Sequence, residues 1–208
     1  GRGCARRGLR RECAALGGYA GWSAGHDERD ARLLPDRAGG AKRGANALTE
    51  PGAGSDPAGM ETRAERHGDA SVITGSKIWI TGGGIADTIT VFAKTDPNER
   101  AQGVSAFVLE DAQRLKGFTA TTIHGKLGIR GSNTAELHFD EVVIPAVNRL
   151  GEEGDGFRIA MKVLARSPPG LASSALGVPR GAPGCAPGRW RCARPGADAA
   201  RAAAGGAC

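Results

Sequence analysis

The sequence predicts an α+β fold: an antiparallel β-barrel or packed pair of sheets, with partial helical regions flanking it. Three observations carry that expectation. From Ser71 to Pro145, runs of β-branched and aromatic residues recur at intervals of roughly 10–15 residues, with no helical period between them. After Gly154 the period changes, and Phe157, Ile159, Ala160, Val163 and Leu164 fall on one side of a helix. Outside these segments, glycine, proline and arginine accumulate at a density that resists regular structure.

Taken in order, the N-terminal flank offers one helix-like stretch, "DERDARLLPDRAGG". "SVITGSKIWIT" reads as a hairpin, because β-branched residues stand on both sides of Gly75-Ser76. "DTITVFAK" and "GVSAFVLE" are strands separated by the turn-rich "TDPNERAQ". "FTATTIHG" alternates as a strand does, and "TAELHFDEVVIP" is a longer strand stopped by Pro145. "GDGFRIAMKVL" starts a helix at Gly154 that Pro168 and Pro169 end, and "LASSALGV" could resume it. The domains expected are a partial N-terminal flank over 1–44, a β-domain over 45–150, the start of a helical domain over 151–178 and a low-complexity, disordered tail over 179–208.

The net charge of +6 would ordinarily point to nucleic acid or an anionic surface. Its placement argues otherwise. Residues 45–178 carry 13 Lys and Arg against 16 Asp and Glu, whereas the two flanks carry 15 against 6. The body is mildly acidic and lacks the aromatic-plus-basic strands of RNA-binding sheets, so nucleic acid is not an expected partner. Cys4, Cys13, Cys185, Cys192 and Cys208 all lie in the flanks, with no zinc spacing and an odd count. No apolar run is long enough for a membrane helix, and no secretory signal is visible. The expected location is cytoplasmic, with no membrane partner.

"ALTEPGAGSD", Ala47 to Asp56, has neither helical nor strand period. Glycine allows close main-chain approach, and free N–H groups beside a serine hydroxyl suit a phosphate. The alternative reading of this loop alone is a polar surface turn.

Together, "ALTEPGAGSD", "ITGSKIWITGG", "KLGIRGSNTAELHFDEVVIP" and "GDGFRIAMKVLARS" resemble the middle domain and first C-terminal helix of the acyl-CoA dehydrogenase family, from about Ala45 to Val178. The resemblance implies a FAD flavoprotein of fatty acid metabolism. Such an oxidoreductase converts the CH–CH bond of an acyl-CoA thioester to the trans-2-enoyl-CoA, passes electrons to an electron-transfer flavoprotein or similar acceptor, and assembles as a homotetramer. It implies that Asn46, Leu48 and Thr49 run along the flavin pyrimidine edge. Gly54 and Ser55 would meet the cofactor diphosphate and the phosphate end of the CoA substrate, with Ser55 a substrate ligand. Trp79, Ile80 and Thr81 would form the wall beside the ring, the indole against the isoalloxazine and the Thr81 hydroxyl on N5. Side chains two apart on a strand share a face, which is what that arrangement needs. Without the resemblance, Trp79 reads as ordinary sheet core and Thr81 as a strand-end cap.

The sequence departs from the family in places. Gly82 follows the Trp-x-Thr triplet where Asn is common, and Pro168 stands where Arg is common. No catalytic residue is assigned, because the family's glutamate base belongs to a later helix and no Glu follows Val178. Glu50, a carboxylate beside a ligand loop, could be proposed as a base, but it is read as bonding amides of its own turn, and Lys126 and Arg130 are read as solvated or interface charges. His67, His124 and His138 are isolated, with no metal spacing. The flanks' Arg, Gly, Ala, Pro and Cys bias is what GC-rich DNA yields out of frame, so the chain is expected to be truncated or frameshifted at both ends. The alternative function is an inactive remnant that keeps part of the FAD and CoA surface.

Overall fold

The computed structural model describes residues 35–36 and 40–166. The expectations for the rest of the N-terminal flank, for Pro168 and Pro169 and for the tail fall outside the described residues. Eight strands form one sheet: β1 (Gly44–Ala47), β2 (Arg63–His67), β3 (Ala70–Thr81), β4 (Thr88–Lys94), β5 (Val104–Glu110), β6 (Phe118–Thr122), β7 (Thr134–Pro145) and β8 (Arg149–Leu150). The order is β6-β7-β3-β2-β4-β5-β8, with β1 beside β4. The α-helix α1 (Gly156–Arg166) follows β8. The α+β class therefore holds, but the sheet is open rather than closed into a barrel. It is also mixed, because β1 and β2 both meet β4 in parallel while the remaining pairs are antiparallel.

Strands β4 and β5 form because they are Val-, Ile-, Thr- and Phe-rich and bury both faces. Only their last residues, Lys94 and Glu110, leave the interior. Ile89, Val91, Phe107 and Leu109 join Ile73, Leu137 and Ile144 in one core cluster. The opposite face, through Phe92, Val104 and Ala106, receives Ile159 and Ala160 of α1. The helix begins at Gly156 rather than Gly154. Ile159, Ala160 and Val163 are buried and Phe157 packs at the edge, whereas Leu164 stays 44% exposed.

The expected hairpin at Gly75-Ser76 does not form. Ala70–Thr81 is one strand of twelve residues, paired with β7 along its length. Gly75 has a different role from that of a turn glycine. A Cβ there would lie 2.6 Å from Thr62 Oγ1 and 2.7 Å from Thr62 Cα, so the chain needs glycine for close approach.

Two bulges break the β3–β7 register. At the first, Thr74 of β3 opposes Asp140 and Glu141 of β7, and Glu141 takes φ 51°. At the second, Ile78 and Trp79 oppose the single residue Glu136, and Trp79 takes φ 60°. The second bulge reverses the phase of β3. Before it the odd-numbered Ser71, Ile73 and Lys77 are buried; after it Ile80 is buried and Thr81 is exposed.

Candidate functional site

Trp79 and Thr81 flank Ile80. Trp79 is 59% exposed, Thr81 is exposed, and Ile80 fills the core. Both candidate side chains therefore lie on the side of β3 away from that core. Ile80 can offer a ligand only its main chain. The loop after β1 is fastened to the same strand. Ile78 N donates to Thr49 O at 2.9 Å, and Lys77 Nζ donates to Leu48 O at 3.1 Å. The structure thus brings Leu48 and Thr49 to the strand that carries Trp79 and Thr81.

Beyond Thr49 the chain turns tightly. Glu50 N donates to Ala53 O and Ala53 N to Glu50 O, each at 3.2 Å, closing a turn over Pro51-Gly52. Gly54 and Ser55 follow, both exposed. Neither Gly52 nor Gly54 has a positive φ, and a Cβ at either would meet nothing within 4 Å. The fold of this chain does not require glycine there, which leaves room for an approaching ligand. Asp56, next to Ser55, pairs with Arg100 from the β4–β5 loop.

Asn46 lies on β1, opposite Thr90 of β4. Its Oδ1 is closed to solvent and has no hydrogen-bond partner. An unmet buried acceptor costs about 1–3 kcal/mol, so this carboxamide oxygen fits a donor from outside the chain.

The strongest interaction of the loop was not legible in the sequence. Lys77 Nζ donates to Glu50 Oε1 at 2.8 Å, with Lys77 fully buried and Glu50 5% exposed. Glu50 also accepts from Glu61 N at 2.6 Å and Thr62 N at 3.1 Å. Its amide partners are therefore on the segment leading into β2 and not in its own turn. Burial works to raise the Glu50 carboxyl. Lys77, with the hydrogen bonds from Glu61 and Thr62, outweighs burial and holds it below its ordinary value. Burial lowers the Lys77 ammonium from 10.5 to about 8, with Glu50 limiting the fall. A lysine inside an inward-facing strand register was the available signal, but lysine in a strand ordinarily reads as solvated.

Lys126, expected as a solvated or interface charge, is half-buried and bonded within its own loop. Its Nζ donates to Ile129 O at 3.1 Å, Ser132 O at 2.7 Å and Thr134 Oγ1 at 2.7 Å, so it organises its own loop. Arg130 Nε in turn donates to Lys126 O at 2.8 Å. An open groove of ≈ 1040 Å³ borders the Glu50 turn and is lined by Thr62, Arg63, Gly75 and Lys94 among others. Trp79, Thr81 and Ser55 are not in its wall. Glu61, Glu65 and Glu141 offset its cations, so it has no charge preference for an anion. Among the described residues, no cluster of three or more metal-ligating side chains occurs. Nor is any helix there long and apolar enough to cross a membrane.

A family model described as the acyl-CoA dehydrogenase middle domain matches residues 45–142. The short-chain-specific acyl-CoA dehydrogenase of Clostridium acetobutylicum is 46% identical over 158 residues, 76% of this chain and 41% of that protein. A chain from a structure of the electron transferring flavoprotein of Acidaminococcus fermentans superposes with TM-score 0.78 at 41% identity, over 83% of this chain and 45% of that one. A glutaryl-CoA dehydrogenase of Mycobacterium smegmatis, solved with FADH2, gives TM-score 0.66 at 39% identity, over 73% of this chain and 37% of that one.

The open mixed sheet thus has the fold of an acyl-CoA dehydrogenase middle domain. Residues 45–142 are the part of the chain that this domain's model matches, and similarity to acyl-CoA dehydrogenases extends over about three quarters of the chain. The chain spans about two-fifths of the length of the curated relatives it matches.

Proposed function

We propose that this chain carries the flavin- and CoA-facing surface of an acyl-CoA dehydrogenase. The enzyme would oxidise the CH–CH bond of an acyl-CoA to a trans-2-enoyl-CoA with FAD and an electron-transfer flavoprotein as acceptor, in a homo-oligomer. The observation that carries the reading is the shared exposed side of Trp79 and Thr81, with Thr49 bonded to the residue before Trp79. The residues fit the cofactor. Asn46 Oδ1 is a buried acceptor without a donor, Gly54 leaves open space, and Ser55 and Thr81 present hydroxyls.

When bound, FAD supplies the hydride acceptor. The chain's own residues bind and orient. Trp79 offers a flat apolar wall to the ring, and Thr81 a hydroxyl donor where negative charge builds. Asn46 and Thr49 satisfy the polar edge, while Gly54 and Ser55 receive phosphate oxygens from the cofactor and from the CoA thioester.

Glu50 does not serve as the base. Its oxygens are committed to Lys77, Glu61 and Thr62, and its proton affinity is lowered. That commitment favours a second reading for the chain alone, a binding surface without turnover. Both readings meet one experiment. Purified chain is titrated with FAD, following flavin fluorescence, and then given acyl-CoAs with an artificial electron acceptor. Weak, saturable FAD binding without bleaching of flavin absorbance is expected for the chain alone. Absence of any saturable binding would reject the flavin-surface reading.

A further inference from the structure

We infer that Lys77 is the positioning residue of the candidate site: with Glu50, it sets the loop from Leu48 to Ser55 against the bulge that presents Trp79 and Thr81. The ligand in this inference rests on the flavin reading above; the geometry does not.

The β1–β4 ladder ends at Ala47. Past that point the main chain needs another guide, and β3 supplies it. Leu48 O takes Lys77 Nζ, Thr49 O takes Ile78 N, and the Glu50 carboxylate takes Lys77 Nζ. Three consecutive residues are therefore fixed from two consecutive residues of β3. Lys77 is also the last residue paired with β7, opposite Leu137, before the Ile78–Trp79 bulge. One side chain thus joins the end of the regular ladder, the start of the bulge and the root of the loop. Through Glu50 the connection extends to the main chain of Glu61 and Thr62.

Stability alone does not account for a lysine here. Taking an ion pair out of water is costly, and an apolar pair of similar volume is often as stable or more so. What an apolar side chain cannot do is bond the Leu48 carbonyl and aim a carboxylate at two amides. The pair supplies direction, as second-layer partners do elsewhere for ligand-binding groups.

The test uses the full chain and the double variant Glu50→Gln/Lys77→Met, which removes both charges. The first readout is amide hydrogen exchange over Leu48–Asp56 and at Ile78, compared with β4 and β5; the second is FAD affinity. Expected are a cooperative melt, exchange of the loop amides faster by at least about tenfold with β4 and β5 unchanged, and an FAD Kd raised by about tenfold. A pair that served stability only would change exchange in all strands together. Unchanged loop exchange in the folded double variant overturns the inference, whatever happens to FAD. If the parent chain shows no FAD binding while its loop exchange responds as expected, the positioning role stands and the flavin reading falls. Should the double variant not melt cooperatively, Glu50→Asp keeps both charges, draws the carboxylate one methylene back from the Glu61 and Thr62 amides, and reads the same amides with the same two outcomes.

Discussion

Lys77 Nζ stands 2.8 Å from Glu50 Oε1, with the lysine side chain wholly closed to solvent and the glutamate nearly so. Removing one partner leaves an uncompensated buried charge. Lys77→Met alone is therefore expected to cost about 3–5 kcal/mol, whereas Glu50→Gln/Lys77→Met costs far less or nothing. Urea unfolding of the two single variants and the double closes the cycle. Additive losses would show that the charges do not act as a pair.

The same pair fixes the sign of the pH dependence. Lys77 titrates at 10.5 in the unfolded chain and at about 8 when folded. Between those values the unfolded state holds a proton that the folded state has released, so stability rises with pH, by up to about 1.4 kcal/mol per unit. Glu50 acts at the other end. Its folded value is lowered, so its contribution is present above 4.5 and is lost as pH falls through the folded value. Urea unfolding from about pH 7 to about pH 10, with the double variant as reference, should give a difference that grows above about pH 8. A difference that shrinks there would reverse the assignment.

What the sequence disclosed follows from how each element is built. β4, β5 and β7 were legible because their β-branched runs bury one or both faces and end at charged residues or proline. β1 was not, since Gly44, Ala45, Asn46 and Ala47 carry no strand preference and form a strand only by lying in parallel on β4. The Gly75-Ser76 turn signal misled because glycine there answers to contact with Thr62 and not to a reversal of direction. At the site, counting by twos from buried Ile73 would have put Trp79 and Thr81 inside. The bulge turns them out, and only the local Trp-x-Thr spacing, which it leaves intact, could be read directly. Lys77 escaped because its acceptors, Leu48 O and Glu50, lie more than twenty-five residues away in sequence.

Gly117 tests the first bulge. It has φ 80°, and a Cβ there would sit 2.0 Å from Asp140 O, the carbonyl at the start of the β7 bulge. Main-chain oxygen cannot yield as a side-chain tip can, and alanine at positive φ adds strain. Gly117→Ala should therefore destabilise by about 3 kcal/mol. Thermal unfolding measures it, and a shift within the range of ordinary surface substitutions would mean that the Gly117–Asp140 approach is looser than described.

Ser55 and Thr81 test the site without testing the fold. Both side chains are exposed, neither belongs to a core cluster, and they come from separate segments. Ser55→Ala/Thr81→Ala should change unfolding free energy by less than about 1 kcal/mol, as surface substitutions usually do. Each hydroxyl removed from a ligand contact withdraws about 1 kcal/mol, so the pair should weaken FAD binding by roughly tenfold or more. Flavin fluorescence titration beside a thermal melt separates the two effects. Unchanged affinity in a folded double variant would place the cofactor elsewhere on the chain. A loss of affinity that tracks a loss of stability would mean that the hydroxyls hold the loop and not the ligand.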